Sequence, residues 1–147
     1  MVIWLTGRSG SGKTTIGRKL SEILGWKLLD GDELRKGINN DLGYDRASKK
    51  ESALRTAHIA KLFGDCVVSH MSPYAEDREL VKNIIADYVE VYLDCPIDVL
   101  KKRDTKGFYV NGNAFVVHEL GSPDLAFDTS VDSADYICDR VCRSRGD

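Results

Sequence analysis

The sequence predicts an α/β protein in which five short parallel strands form one sheet with helices on both faces, a three-layer arrangement. The first observation is that short, largely apolar runs recur along the 147 residues, as in strands buried on both faces. The second is that segments with helical spacing of apolar residues lie between them, which indicates a parallel sheet with right-handed crossovers. The predicted strands are residues 2–6, 26–30, 66–70, 89–94 and 125–128.

The helices are predicted from apolar spacing and from residues that favour helix ends. They cover residues 14–25, 48–64, 72–85, 96–103 and 133–143. Gly25 is a glycine of the kind that ends a helix, while Ser72 and Pro73 offer a capping hydroxyl and a first-turn proline. The buried stripe of the third helix is predicted to be Leu80, Val81, Ile84 and Ile85.

Residues 106–124 interrupt the alternation of strands and helices. They include three glycines, two asparagines and a proline around a few apolar residues, without clear periodicity. In a small domain such a segment is usually functional. We expect a short lid here, within a single domain that spans residues 1–147.

Composition excludes several classes of protein. Hydrophobic residues make up 42% of the chain, charged residues 30%, and the net charge is -2. These values argue against disorder and against nucleic acid as a partner. The apolar stretch 1–5 is too short for a signal peptide or a membrane span, so we expect a cytosolic protein with no membrane partner.

The cysteines show no pattern of a metal site or a disulfide framework. Cys66, Cys95, Cys138 and Cys142 form no CxxC pair and have no histidines at zinc spacing. We expect reduced, mostly buried thiols. The alternative is that Cys138 and Cys142, four residues apart on a predicted helix, contact a metal.

Residues 7–14 read GRSGSGKT, a complete GxxxxGK[ST] loop between a buried strand and a helix. In that context the glycines allow backbone N–H groups to surround an anion at the positive end of the helix. Lys13 is predicted to reach terminal phosphates, and the Thr14 hydroxyl to bind magnesium. The alternative is a glycine-rich turn that binds nothing. The predicted ATP-binding residues of this P-loop are Gly7, Arg8, Ser9, Gly10, Ser11, Gly12, Lys13, Thr14 and Thr15.

Two carboxylates, Asp30 and Asp32, follow the second predicted strand. In a doubly wound sheet this strand end lies near the loop, because ligands bind outside the carboxyl ends of the strands. One carboxylate could bind magnesium through water while the other accepts the proton of an attacking hydroxyl. The alternative is that Asp32 only caps the next short helix.

Several further segments resemble motifs of the adenylylsulfate (APS) kinase family, and they follow one another in the same order as in that family. The family motif LDGDxxR corresponds to residues 29–35, and GLNxDLGF to GINNDLGY at residues 37–44. More matches follow at residues 59–63, 69–74, 77–78, 90–94, 103–109 and 128–130. The resemblance covers nearly all of residues 3–109, which makes it far more specific than the loop alone.

The resemblance implies a kinase that transfers the terminal phosphate of ATP to the 3'-hydroxyl of APS, with ATP and Mg²⁺ bound and a homodimeric assembly. It makes Asp32 the general base, Asp30 a magnesium partner through water, and Arg103 a contact of the ATP adenine. The implied acceptor-binding residues are Arg35, Tyr44, Lys49, Ser52, Ser72, Pro73, Tyr74 and Lys106. An aromatic that closes a loop remains an alternative for Tyr44, and a solvated helix-end charge for Arg103.

The chain departs from the family after Tyr44. Lys49, Ser52 and Leu54 stand where the family has arginine, asparagine and arginine, and the lid is shorter, with Phe115 as a possible second stacking face. Because of these differences, the alternative to APS is another nucleotide acceptor such as cytidine diphosphoramidate, the substrate of relatives in capsule-sugar pathways. A third alternative is a nucleotide-binding module without turnover.

The three histidines are not assigned to the chemistry, because Asp32 already fills the role of the base. His118 is predicted to be a surface or loop histidine in the lid segment and not a catalytic base. His58 is predicted to lie on a helix face, and His70 to pack in the pocket.

Overall fold

The structure, a computed structural model, describes residues 1–104 and 118–145. The strands are β1 Val2–Thr6, β2 Lys27–Asp30, β3 Cys66–Ser69, β4 Tyr88–Asp94 and β5 Leu125–Asp128. The helices are α1 Lys13–Leu24, α2 Gly31–Lys36, α3 Arg46–Phe63, α4 Ala75–Ile84, α5 Ile97–Lys102 and α6 Ala134–Ser144. The predicted strand and helix positions are therefore confirmed to within a few residues.

The strands form one parallel sheet in the order β2-β3-β1-β4-β5. β1 lies at the centre, with Val2 paired to Cys66 on one side and to Tyr88 on the other. All five residues of β1 are buried, as expected for a strand covered on both faces. The chain after β1 thus leaves the middle of the sheet at its carboxyl edge.

Two apolar cores, one on each face of the sheet, confirm the predicted three layers. Alternate residues of β1 point to opposite faces, because side chains alternate along a strand. Ile3 and Leu5 pack with α1 and α6, whereas Val2 and Trp4 pack with α3 and α4. The helix residues buried against the first face include Ile16, Leu20, Ile137 and Val141, and those against the second include Ala53, Ala57, Ala60 and Val81.

The start of α4 differs from the prediction. The helix begins at Ala75 with Tyr74 at the N-cap position, so the expected cap at Ser72 and first-turn role of Pro73 are wrong. The Ser72 hydroxyl instead accepts a hydrogen bond from Trp4 Nε1 at 3.0 Å. Of the predicted inner stripe, Val81 and Ile85 are buried, but Leu80 is exposed. The conformation of this loop is therefore determined by the long-range partners of Ser72 and not by the local Ser-Pro pattern.

Residues 106–117 of the predicted lid, which include Phe115, lie outside the described residues. The part that follows, residues 118–124, packs against the loop after β3 and reaches β5. Among the described residues, every helix is too short or too polar to span a bilayer.

Candidate active site

The loop between β1 and α1 has the geometry of an anion cradle. Gly10 and Gly12 adopt φ angles of +83° and +100°, a left-handed conformation that glycine adopts readily. Gly12 precedes α1 and no side chain caps the helix, so its first N–H groups face the loop. Gly7 is required for another reason, because an added Cβ would lie only 2.4 Å from the carbonyl oxygen of Leu93.

Lys13 folds back over this loop from the first turn of α1. Its ammonium group donates to the carbonyl oxygen of Arg8 at 2.7 Å. The Ser11 hydroxyl lies 3.5 Å from the same Nζ. The cation is thus held above the N–H groups of the cradle, where the terminal phosphates of a nucleotide would lie.

The two candidate carboxylates are joined through the turn into α2. Asp30 ends β2 and accepts a hydrogen bond from the backbone N–H of Asp32 at 3.4 Å. Asp30, not Asp32, therefore caps the helix, and the alternative that Asp32 serves only as a cap is wrong. The turn packs tightly on β3, since a Cβ added to Gly31 would lie 3.1 Å from the carbonyl oxygen of Ser69.

A cavity of about 730 Å³ opens at the carboxyl ends of β1, β2 and β3 and joins the loop to the carboxylates. The predicted residues that line it are Ser9, Gly10, Gly12, Lys13, Thr14, Thr15, Asp30, Asp32, Arg35, Tyr44, Lys49, Ser52, Ser72, Pro73 and Arg103. We call Arg35, Tyr44, Lys49, Ser52, Ser72 and Pro73 the acceptor side. Lining residues not predicted to bind substrate are Gly31, Ser69, His70, Met71 and Asp104.

Some predicted site residues lie elsewhere. Gly7, Arg8 and Ser11 belong to the loop but do not line the cavity. Tyr74 is also outside the lining, and its ring lies 3.8 Å from the Arg46 guanidinium, which covers one face. Lys106 lies outside the described residues.

The acceptor side carries a cluster of positive charge. The Arg35 guanidinium stacks on Tyr44 at 4.0 Å and donates to two carbonyl oxygens, those of Leu42 and Gly43, both at 3.1 Å. Burial, followed by the charges of Arg35 and Arg46, lowers the pKa of Lys49. Within residues 1–104 and 118–145, neither Arg35 nor Lys49 is paired with a carboxylate. This cluster is therefore suited to bind an anion.

A buried chain of polar side chains lies behind the acceptor side. His70 Nε2 is 2.9 Å from the Ser52 hydroxyl, and Nδ1 is 2.8 Å from the Ser72 hydroxyl. Asn39 donates to Ser52 at 3.3 Å, and Trp4 to Ser72. Burial, with Lys13 and Arg35 nearby, lowers the pKa of His70 to about 4. The predicted packing of His70 in the pocket is confirmed, and its ring is neutral at neutral pH.

His118 lies in a loop, as predicted, but it is buried, so a surface position is wrong. Its Nε2 lies 2.9 Å from the Thr6 hydroxyl and 3.0 Å from the Met71 carbonyl oxygen, and its ring stacks at a tilt on Tyr92. Burial lowers its pKa to about 4, although the hydrogen bond with Met71 opposes the shift. Irregular sequence around His118 gave no periodicity from which burial could be read. His58 is exposed on α3, as predicted.

Arg78 joins the acceptor side to the segment before β5, a role that the sequence did not indicate. It is buried and forms an ion pair with Glu90 at 3.2 Å. It also donates to the carbonyl oxygens of Ser72 at 2.8 Å and of Leu120 at 3.0 Å, and to that of Glu119. The backbone of the loop after β3 is thus fixed by a charge buried behind the cavity.

Arg103 lies at the other end of the cavity. It donates to the Thr129 carbonyl oxygen at 2.9 Å and lines a smaller cavity of about 300 Å³ with Gly10, Gly12 and Thr15. That position is beside the phosphate cradle on the side away from the acceptor residues. It fits a contact with the base or sugar of a nucleotide bound at the loop.

The parallel sheet, the P-loop after its central strand and the carboxylates at the end of β2, two strands away, give the chain the fold and site layout of the P-loop kinase class. A model of the adenylylsulphate kinase family matches residues 1–137. The chain belongs to this family, and the expected resemblance is confirmed.

Individual relatives agree with this assignment. An adenylyl-sulfate kinase of Clostridium acetobutylicum is 45% identical over 118 residues, which cover 74% of this chain and 59% of that protein. One of Geotalea uraniireducens is 39% identical over 150 residues, which cover 88% and 72%. The chain thus spans between 59% and 72% of the length of these two relatives.

A solved structure is similar over nearly the whole chain. It is the APS kinase CysC of Mycobacterium tuberculosis, determined in complex with AMPPNP and APS. The TM-score is 0.90 at 32% identity, and the match covers 99% of this chain and 97% of that one.

Proposed function

We propose that this chain is an ATP-dependent kinase that phosphorylates the 3'-hydroxyl of adenosine 5'-phosphosulfate. The observation that carries the proposal is that one cavity brings a phosphate cradle, two carboxylates and a cationic cluster together. ATP and APS are both anionic nucleotides, and each half of the cavity suits one of them. Membership of the adenylylsulphate kinase family supports this choice of substrates.

On the ATP side, the P-loop would hold the phosphates. The N–H groups at the start of α1 and the Lys13 ammonium would neutralise the charge that develops on the transferred group. Arg103 would lie against the base. These roles need only small adjustments, because the cradle is already formed around glycines with positive φ.

The residues present fit a magnesium ion. Thr14 and Asp30 both line the cavity beside the cradle and offer the hard oxygen ligands that Mg²⁺ prefers, Asp30 through water. Among the described residues there is no cluster of three or more histidine, cysteine or acidic side chains, so the ion would rely on substrate phosphates for further ligands. When bound, it would offset phosphate charge.

On the acceptor side, Asp32 would orient the 3'-hydroxyl and accept its proton. Arg35 and Lys49 would bind the anionic end of the acceptor, and Arg35 can do so with two N–H groups. Tyr44 is 70% exposed beside Arg35, so its ring can stack on a base. Pro73 and the loop around Ser72 would form the wall opposite Arg35. Lys106 is proposed to contact the acceptor on the resemblance alone.

One observation favours a second candidate, phosphorylation of cytidine diphosphoramidate. Ser52, which replaces the family's asparagine, already has His70 and Asn39 as partners for its hydroxyl. Lys49, which replaces arginine, lacks the planar fork. The contacts with the acceptor therefore differ from the family pattern at two positions.

A substrate panel tests these proposals. The protein is incubated with magnesium-ATP and, in separate reactions, APS, cytidine diphosphoramidate and simple nucleotides, and ADP release is followed. Stimulation by APS supports the first proposal, and stimulation only by the cytidine compound supports the second. If no acceptor raises ADP release while ATP still binds, a binding module without turnover is the correct description.

We also propose a cytosolic homodimer. The cytosolic location is supported by the four cysteines, which are all free thiols, as is usual in a reducing compartment. The dimer is proposed from the family resemblance. Light scattering after size exclusion measures the mass of the assembly, and a monomeric mass over the working concentration range would contradict the dimer.

A further inference from the structure

We propose that His70 is a positioning residue that fixes the geometry of the acceptor side. It follows the end of β3, is only 9% exposed, and contacts three separate parts of the site. These parts are Ser52 on α3, Ser72 in the loop before α4, and the turn at Gly31. The inference rests on the proposed function, since it concerns how the second substrate is held.

Both ring nitrogens of the neutral imidazole are engaged by a serine hydroxyl, Nε2 by Ser52 and Nδ1 by Ser72. In either tautomer one nitrogen donates and the other accepts, so the ring bridges the two serines. Each serine also accepts from a second fixed donor, Ser72 from Trp4 Nε1 at 3.0 Å and Ser52 from Asn39. Both serine hydroxyls are therefore held in place, and His70 is the link between them.

The ring also supports the turn that carries the candidate base. A Cβ added at Gly31 would lie 3.5 Å from His70 Cδ2, so the imidazole edge packs directly against this turn. Gly31 lies between Asp30 and Asp32. A shift of the ring toward this turn would therefore press on the backbone between the two carboxylates.

The Ser72 backbone depends on the same contact. Ser72 has φ +40°, the one positive value outside glycine among the described residues. Such a conformation persists where surrounding contacts enforce it. Its side chain is held by Trp4 and His70, and its carbonyl oxygen by Arg78. Loss of the imidazole would leave the loop free to relax away from the cavity.

The contacts of His70 predict an asymmetric effect on the two substrates. Every hydrogen bond of its ring goes to the acceptor side, while the P-loop is built from its own backbone and from α1. A His70 variant should therefore weaken acceptor binding with little change for ATP. A merely structural role would lower stability or the active fraction without separating the two KM values.

The test compares His70→Phe, His70→Asn and His70→Gln with His58→Phe, an exposed histidine on α3 that serves as the control. Phenylalanine keeps most of the packing and removes both hydrogen bonds. We expect His70→Phe to raise KM for APS about tenfold or more, as loss of buried hydrogen bonds should, with KM for ATP within about twofold. Asparagine and glutamine each place a polar group near one ring nitrogen and should restore part of the APS affinity.

Thermal unfolding of every variant is recorded alongside, and the amide variants serve if His70→Phe does not fold. Unchanged KM values in the folded variants, or an equal rise in KM for APS and ATP, would overturn the proposal for His70. If the wild-type protein responds to cytidine diphosphoramidate and not to APS, the proposed function fails. The same KM comparison made with the cytidine compound then decides the role of His70.

Discussion

The two sides of the cavity are built in different ways. The phosphate-binding part of the ATP side is a run of consecutive residues, 7–15, whose glycines and helix start form the site by local geometry. The acceptor side draws on α2, α3 and the loop after β3, and buried polar groups behind it hold these elements together. A local site can be read directly from a sequence motif, whereas an assembled site depends on contacts that no motif records.

The largest predicted effect is a loss of stability in acid. It arises on the acceptor side, because His70 and His118 are both buried near that side or behind it. Their pKa values are about 4 in the folded protein, below the usual 6.5 of an unfolded chain. Their contribution to stability is therefore complete above pH 6.5 and is lost as the pH falls from 6.5 to 4. Each histidine should remove roughly 1.4 kcal/mol of unfolding free energy per pH unit in that window.

Denaturant unfolding at a series of pH values measures this slope. In His118→Gln the slope between pH 6.5 and 5 should fall by roughly 1.4 kcal/mol per pH unit, since one of the two buried imidazoles is gone. His58→Gln serves as the control because His58 is exposed. A slope that is the same in all three proteins would show that the buried histidines do not govern acid stability.

The next largest effect is the loss of stability that we expect when Arg78 is replaced. Arg78→Ala leaves Glu90 buried without its partner and frees the carbonyl oxygens of Ser72 and Leu120, so we expect a loss of about 3–5 kcal/mol. Arg143→Ala, which removes an exposed pair with Asp139, should cost under about 1 kcal/mol. Urea unfolding of both variants measures the contrast. Equal losses would mean that Arg78 does not hold the acceptor side in place.

Local pattern predicted the parts of the molecule whose contacts are local. The bounds of β1 and β5 and the P-loop followed from apolar runs and glycine spacing. The burial of His118 did not, because its partner Thr6 is 112 positions away. The prediction for Ser72 was wrong for the same reason. A Ser-Pro pair is typical of a helix start, but the Ser72 hydroxyl bonds with the distant Trp4 and with His70 and does not cap the helix. The acceptor residues came from family resemblance, and their supporting contacts were not visible.

Replacement of Asp32 tests the chemistry at the junction of the two sides. Asp32→Ala should lower kcat by about 100-fold or more, the usual effect of removing a general base, while ATP affinity remains nearly the same. The turn should keep its shape, because the cap of α2 is the Asp30 side chain, which accepts from the backbone of residue 32. Steady-state kinetics and nucleotide titration separate the two effects. An equal loss of ATP binding would place Asp32 on the metal instead.

Arg35→Lys should have the smallest effect, and that effect should be confined to binding of the acceptor. Lysine keeps the charge but loses the planar fork that stacks on Tyr44 and donates to the Leu42 and Gly43 carbonyl oxygens. We expect KM for the acceptor to rise about tenfold, with KM for ATP unchanged. Lys36→Ala, which alters an exposed neighbour paired with Glu33, is the control and should change neither value. If Arg35→Lys raised KM for ATP as well, the two sides would be coupled through α2, and the separation between a local and an assembled site would not extend to binding.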